Sequence, residues 1–434
     1  MIRLHPIPDA EHTCPHCRTP LQIKGWYIPG MRNLADMVCP KCERSYYGDL
    51  PAGHGLYYPM LLEQGSGVAH DIYGVPWFAD WLRRSYAQRS DRQIPFHVES
   101  RKPVKRAILL NCLDTLYGHC LLKLLNAQYY LDHKPEWDLI VLVPRLLRCM
   151  VPEGVAEIWT VDLPLGTGTE WNDWLANELR KHIEAMDECW LSVAFSHPHP
   201  EDFNIERFTR VRPFPIDEWQ IRLQHPTVTF IWRDDRLWDF DQQGLVSRLY
   251  NRIEVIAGKH TNRVERQRNR VIKLAETLRL EFKELDFAIV GTDKSGEFPT
   301  WITDLRKTTP DDSTERNWCE RYASSHVVMG VHGSNMLLPS AHAGAVVELM
   351  PNERWGNILQ DILFRPDDLR ETVFRCRIVP VDAPVKDVAL IVTSMLTDHR
   401  YFLINMRSEF CDHDRTKHTS AWVTARQQGL ARLP

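Results

Sequence analysis

The sequence predicts an α/β protein with two Rossmann-like domains facing a cleft, preceded by a small cysteine-bearing unit. Three observations predict it. From Arg101 onward short apolar runs alternate with longer amphipathic stretches, the alternation restarts after a proline-rich crossing near residue 226, and four of the eleven cysteines lie in two close pairs before residue 50. Alternation of this kind builds parallel sheets with crossover helices.

The 434 residues correspond to roughly three domains, which excludes a single small module. Apolar residues at 44% and charged residues at 25%, with 21 glycines and 28 prolines, describe a globular chain able to build large cores. A net charge of −4 supplies no global basic field for nucleic acid or anionic lipid, so no nucleic-acid partner is expected and any polyanion site is local. The opening Met1-Ile-Arg-Leu-His-Pro has no apolar core of signal-peptide length, and no later run reads as a membrane span. The expectation is a cytoplasmic protein. Cys112, Cys120, Cys149, Cys189, Cys319, Cys376 and Cys411 are scattered singly, as reduced core thiols are.

The other cysteines form Cys14-Pro-His-Cys17 and Cys39-Pro-Lys-Cys42, separated by 21 residues. Each C-x2-C pair makes a tight knuckle, and two knuckles aim four thiolates at one point, the closed shell of a zinc ribbon over residues 1–50. Four protein ligands leave no open coordination position, so the expected cofactor is structural zinc, with no catalytic metal. A redox dithiol is the alternative, although it needs only one pair. Residues 51–100, rich in Gly, Tyr and Trp, read as an ordered connector with a short helix at 77–88.

The first half, 101–225, shows strands at 107–111, 139–144, 156–161 and 190–195 and helices at 118–131 and 171–187. The second half, 226–380, shows strands at 228–232, 287–291, 326–331 and 346–350. Its helices read at 245–257, 263–282, 313–323, 334–341 and 355–363. A last strand near 377–379, a helix near 388–396 and a polar tail follow, the final unit being 381–434. Two facing doubly wound sheets place their ligand-binding carboxyl ends on either side of one cleft.

Three features could carry chemistry. In Val331-His332-Gly333-Ser334-Asn335 a buried strand enters a glycine turn with good helix caps, which predicts amides for a diphosphate, a hydrogen bond from His332, and Glu348 on the next strand as a ribose acceptor. An ordinary strand-turn-helix joint with a satisfied histidine reads equally from the spacing. In Trp232-Arg233-Asp234-Asp235-Arg236 a strand ends in two arginines, which either fork onto phosphate oxygens or form an Arg-Asp network that only holds a loop. In Asp114-Thr-Leu-Tyr117-Gly118-His119 a loop opens a helix, so that His119, or failing it Asp114, serves as a general base. A core or capping histidine is the alternative there.

Taken together, these motifs resemble the family-61 glycosyltransferases, a two-Rossmann-domain group of the GT-B type. The resemblance runs over about 250 residues, from Ala107 to Pro351. It rests on Trp232-Arg233-Asp234, His332-Gly333-Ser334-Asn335, Gly344-Ala-Val-Val-Glu348-Leu-Met-Pro351 and Tyr117-Gly-His119. Ser334-Asn335 stands where the family has Ala-Gly, and the zinc ribbon is unlike the family's secretory members. The resemblance implies transfer of a sugar from a nucleotide-diphosphate donor on the second half to a hydroxyl-bearing acceptor on the first, inverting and metal-independent. Arg233, Arg236, His332, Gly333, Ser334, Asn335 and Glu348 would bind the donor. Two Asp-x-Asp elements, Asp239-Phe-Asp241 and Asp412-His-Asp414, could instead hold a divalent ion. A nucleotide-sugar epimerase, a pyruvyl transferase, a nucleotide-binding protein without turnover and a ribbon-guided nucleic-acid or partner-binding protein are the other readings.

Overall fold

The computed structural model describes residues 1–71, 76–164, 166, 171–194, 198–199, 202–239, 260–358, 360–363 and 375–399. The helix expected at 245–257, Asp241, Cys411 and the Asp412-His-Asp414 element lie outside the described residues. Among the described residues no helix is long and apolar enough to cross a membrane.

The chain opens on β1 (Ile2–His5) and then builds an antiparallel sheet from β2 (Gln22–Tyr27), β3 (Leu34–Val38), β4 (Ser45–Asp49), β5 (Met60–Glu63) and β6 (Ala69–Asp71), paired in sequence order. Helix α1 (Pro76–Ala87) and β7 (Phe96–Ser100) follow. Residues 51–100 thus complete the cysteine-bearing sheet and supply an edge strand to the next. The wholly buried Met60-Leu-Leu-Glu63 run is what ties β5 to that sheet.

The first large sheet has the order β1-β11-β8-β9-β10-β7, with β8 (Arg106–Asn111), β9 (Asp138–Pro144), β10 (Glu157–Val161) and β11 (Glu188–Leu191) parallel and both edges antiparallel. Helices α2 (Tyr117–Leu125), α3 (Ala127–His133) and α4 (Asp173–Glu184) connect its strands. The helix expected at 118–131 divides at Asn126, whose side-chain amide donates to the carbonyls of Leu122 and Lys123 at 3.1 and 3.0 Å. That local bond satisfies carbonyls at the end of α2.

After the short helices α5 (Ile205–Thr209) and α6 (Trp219–Arg222), the second large sheet uses β12 (Thr227–Trp232), β13 (Asp286–Gly291), β14 (Thr303–Asp304), β15 (Val327–Val331), β16 (Ala345–Met350) and β17 (Cys376–Pro380). All are parallel, in the order β14-β13-β12-β15-β16-β17. Counted within the sheet this is third, second, first, fourth, fifth, sixth, the Rossmann order, whose ligand crevice lies where the order reverses, between β12 and β15. Helices α7 (His260–Glu281), α8 (Asp312–Ser324), α9 (Leu337–His342) and α10 (Val385–Thr397) complete this half. The fold is α/β with two Rossmann-like parallel sheets, joined to an antiparallel sheet that carries a four-cysteine cluster.

The lobes share one core. Leu121 and Leu124 of α2, Trp318 and Tyr322 of α8 and Leu337 of α9 belong to a single buried cluster. Here α2 and the turn before α9 meet start to start, so closely that a Cβ at Gly118 would come within 2.7 Å of the Ser334 Cβ. The cysteine-bearing sheet is likewise continuous with the first lobe, Cys14, Met37 and Cys39 packing in one cluster with Ile140, Leu142 and Trp159.

Glu315, in the first turn of α8, is half-buried, and desolvation together with Asp312 pushes its carboxyl up to about 7. A folded value above the unfolded one means that this group's stabilisation is present in acid, below about 4.3, and is lost as pH rises through about 7. Glu315→Gln is therefore expected to match the wild type near pH 4 and to be the more stable by up to about 3 kcal/mol near pH 8. Thermal melts across that range check it, and equal melting at alkaline pH would contradict it.

Candidate active site

At the carboxyl end of β12, Arg233 keeps its side chain partly exposed, donates from Nη1 to Asn335 Oδ1 at 3.0 Å and grips the Asp235 carboxylate with Nε and Nη2. Asp234 turns away, taking the Trp232 indole N–H at 2.7 Å and the Ser295 hydroxyl. Gln267 of α7 braces the loop, donating to the Arg233 carbonyl at 3.0 Å and accepting from the Trp238 amide at 2.7 Å. Asp239 is held by Arg266 at 2.9 Å and Arg263 at 3.4 Å.

Arg236 reaches across the reversal point and donates from Nη1 to the His332 carbonyl at 2.8 Å. Its guanidinium lies over Gly333, where φ is +155° and a Cβ would sit 2.2 Å from Nη1. The glycine is needed to admit that arginine. Burial first, then the nearby charges of Arg233 and Arg354, push the Arg236 guanidinium below its ordinary value, with Asp235 and Asp361 acting the other way. Asn335 Nδ2 is buried beside them and makes no hydrogen bond among the described residues.

Two of the expected donor-site features have protein neighbours here. The sequence places a diphosphate on amides at Ser334, but Arg236 covers Gly333, Gly118 abuts Ser334, and the helical stretch is a 3-10 turn at Ser334–Met336 followed by the six-residue α9. The Arg233 and Arg236 guanidinium groups border this turn. Glu348, expected to face ribose, is fully buried in β16 between β15 and β17, with its Oε2 2.5 Å from His332 Nδ1. The other ring nitrogen, Nε2, lies 3.2 Å from Asp361 Oδ2. His332 is thus an enclosed imidazole between two carboxylates, both pushed upward chiefly by burial.

The first lobe contributes a denser cluster around Asp114, three residues before α2. His119 and Lys123 lie one helical turn apart on one face of α2, and both meet that carboxylate. His119 Nδ1 is 3.1 Å from Oδ1 and the Lys123 ammonium 2.8 Å from Oδ2, with the lysine also donating to the Leu113 carbonyl at 2.8 Å. A third partner comes from the cysteine-bearing sheet, His54 Nε2 lying 3.3 Å from Asp114 Oδ2. Burial alone would raise Asp114, but Lys123, then His119 and His54, hold its carboxyl well below the usual carboxylate range. With Nδ1 engaged by the carboxylate, His119 presents Nε2 to the opposite lobe, 3.4 Å from the Gln360 amide nitrogen.

His54, Lys123, Asp361 and Gln360 were absent from the sequence reading. Lys123 carries a local signal, a lone lysine within Cys-Leu-Leu-Lys-Leu-Leu, which cannot be buried without a partner. His54 carries none, since its contact crosses sixty residues of chain.

Three groups of side chains among the described residues lie close enough to share an ion, one of them His16, Glu63 and His70 beside the first knuckle. The Sγ atoms of Cys14, Cys17, Cys39 and Cys42 cluster within 4.8 Å, with separations of 3.6 Å (Cys14–Cys42), 3.3 Å (Cys17–Cys39) and 3.9 Å (Cys17–Cys42). Tetrahedral zinc with Zn–S near 2.3 Å needs sulfurs about 3.8 Å apart, so the donor set fits structural zinc. Each knuckle closes alike, Arg18 N to Cys14 O and Glu43 N to Cys39 O at 2.9 Å, with Arg18 and Glu43 in the left-handed region. His54, Asp114 and His119 also lie close enough to share an ion. There the Lys123 ammonium already neutralises the only carboxylate.

The fold and this junction define an α/β protein with a polar centre between two Rossmann-like lobes. No family model matches the chain, and no curated protein matches it. Among solved structures, ADP-heptose LPS heptosyltransferase II of E. coli aligns with 68% of this chain and 99% of its own at 12% identity and a TM-score of 0.35, a likeness too loose to bear on function.

Proposed function

We propose that the protein is a glycosyltransferase of GT-B type that uses a nucleotide-diphosphate sugar and a hydroxyl-bearing acceptor. The observation that carries this reading is the juxtaposition at the lobe junction: Gly118 of the helix that bears the His119–Asp114 pair abuts Ser334, beside which Arg233 and Arg236 contact Asn335 and the His332 carbonyl at the strand-order reversal of the other lobe. The motif resemblance to family 61 agrees with it. In this mechanism the acceptor hydroxyl replaces the Gln360 amide at His119 Nε2 and gives up its proton there, while Asp114 holds the imidazolium that forms. The acceptor oxygen bonds to the anomeric carbon as the carbon–oxygen bond to the diphosphate breaks, which inverts that centre. Arg233 and Arg236 take the charge that appears on the departing phosphate.

A thermal-shift screen over UDP, GDP and ADP and their sugars tests donor binding. A ligand at 100 times its dissociation constant adds about 2.7 kcal/mol. The wild type is expected to shift with one nucleotide class, Arg236→Ala and Arg233→Ala to lose the shift, and a labelled sugar to reach an acceptor at a rate that falls about 1,000-fold in His119→Ala. Absence of any shift, or transfer unchanged in His119→Ala, would overturn the proposal.

A further inference from the structure

We infer that the cysteine-bearing sheet is a working part of the lobe junction: it delivers His54 to Asp114 as a positioning residue, and metal bound at its knuckles holds that delivery in place. The inference rests on the His119–Asp114 reading above.

The path is short and continuous. Strands β3 and β4 leave the second knuckle directly, Val38 preceding Cys39 and Ser45 following Cys42, and stay paired to their far end, where Leu34 faces Asp49. That far end is locked. Leu50 N donates to Asn33 O at 2.8 Å, the buried Arg32 guanidinium meets Asp49 at 2.9 Å, and Asp49 also accepts from Met60 N at 2.9 Å. It docks onto the carboxyl end of the first large sheet at that sheet's own order reversal, between β8 and β11. From β8, Asn111 Nδ2 donates to Gly30 O and Asn33 Oδ1, both at 3.0 Å. Just past β11, Val193 O accepts from Gly53 N at 2.7 Å. Gly53 takes φ +58°, which turns the chain so that the next residue, His54, meets Asp114.

Charge balance alone does not call for this imidazole. Lys123 already offsets the single charge of Asp114, and His119 occupies Oδ1. On Oδ2, beside the ammonium, the His54 imidazole 3.3 Å away would steer the carboxylate plane and so the direction in which His119 Nε2 points. The groups facing the cluster are Lys123, His119, the Cys120 thiol and the Thr115 amide from the α2 side, His54 from the loop, and Gln360 and Asp361 from the other lobe.

Amide hydrogen exchange on the full chain, zinc-loaded and after chelation, tests the coupling. Removing the metal is expected to cost peptides over 39–45 and 50–56 about tenfold or more in protection together, while β8 and β9 keep theirs. Undiminished protection over 50–56, or a uniform loss through the whole chain, overturns it. Turnover tests the positioning role, read as nucleotide diphosphate released from UDP-, GDP- and ADP-sugars, with water taking the sugar where no other acceptor is added. In zinc-loaded His54→Ala, kcat is expected to fall about tenfold with donor KM unchanged, zinc content intact and the pH profile of kcat displaced, and His54→Gln to recover part of the rate. A wild-type rate and profile in both variants overturns it. If the wild-type chain turns over no donor, the glycosyltransferase reading fails while exchange still decides the coupling.

Discussion

Asp114→Ala is expected to destabilise the protein by about 3–5 kcal/mol, because it leaves the Lys123 ammonium, 2% exposed, enclosed without its counter-charge. Lys123→Met alone is expected to cost a similar amount, and the double variant much less than the sum, since removing both members of a buried pair restores charge balance. Denaturant unfolding of the four chains gives the coupling directly. Additive losses would mean that the pair does not hold Asp114. The sign with pH follows from the depressed carboxyl: its stabilisation is complete above the unfolded value near 3.9 and is lost as pH falls toward the lower folded value. The wild type should therefore show an acid limb in stability that the Asp114→Ala, Lys123→Met chain lacks. Activity should fall further than stability, by about 1,000-fold, because His119 loses the acceptor that fixes its base-competent tautomer.

What could be read from sequence divides along the distance over which each signal acts. The knuckles were legible because C-x2-C spacing is local chemistry, and the central strands because alternation and apolar runs are short-range patterns. His119 and Asp114 were found together because a loop and a helix start separate them by five residues. At His332 the signal is two-sided for a physical reason: Gly333 signals a close approach to the backbone, but sequence cannot say whether ligand or protein makes it, and in the structure Arg236, 97 positions earlier, lies there. Glu348 offered a usable clue. A glutamate inside Ala-Val-Val-Glu-Leu-Met, on a strand paired on both edges, is more economically explained by a buried partner than by ribose, and that partner is the histidine one strand away. No pattern within residues 51–100 foretold that the cysteine-bearing sheet would end at Asp114, because only the register of β3 on β4 and the docking of Asn33 on Asn111 bring it there.

The second large effect concerns that buried histidine. Glu348→Ala is expected to destabilise the protein by about 3–5 kcal/mol, since it opens a cavity in a fully buried strand and strips His332 Nδ1 of its partner. Glu348→Gln keeps an acceptor and the volume, so it should cost only about 1–2 kcal/mol. Burial, with Asp361 adding to it, raises the Glu348 carboxyl, so its stabilisation is present in acid and declines as pH rises. The glutamine variant should therefore approach the wild type at alkaline pH and trail it most in acid. Because the His332 carbonyl also anchors Arg236, loosening this ring should move the arginine corner as well. Both variants should then lose part of the nucleotide-induced thermal shift even under conditions where they remain folded. An alanine variant as stable as the wild type, with an undiminished shift, would show that the Glu348–His332–Arg236 chain of contacts does not organise the donor side of the junction.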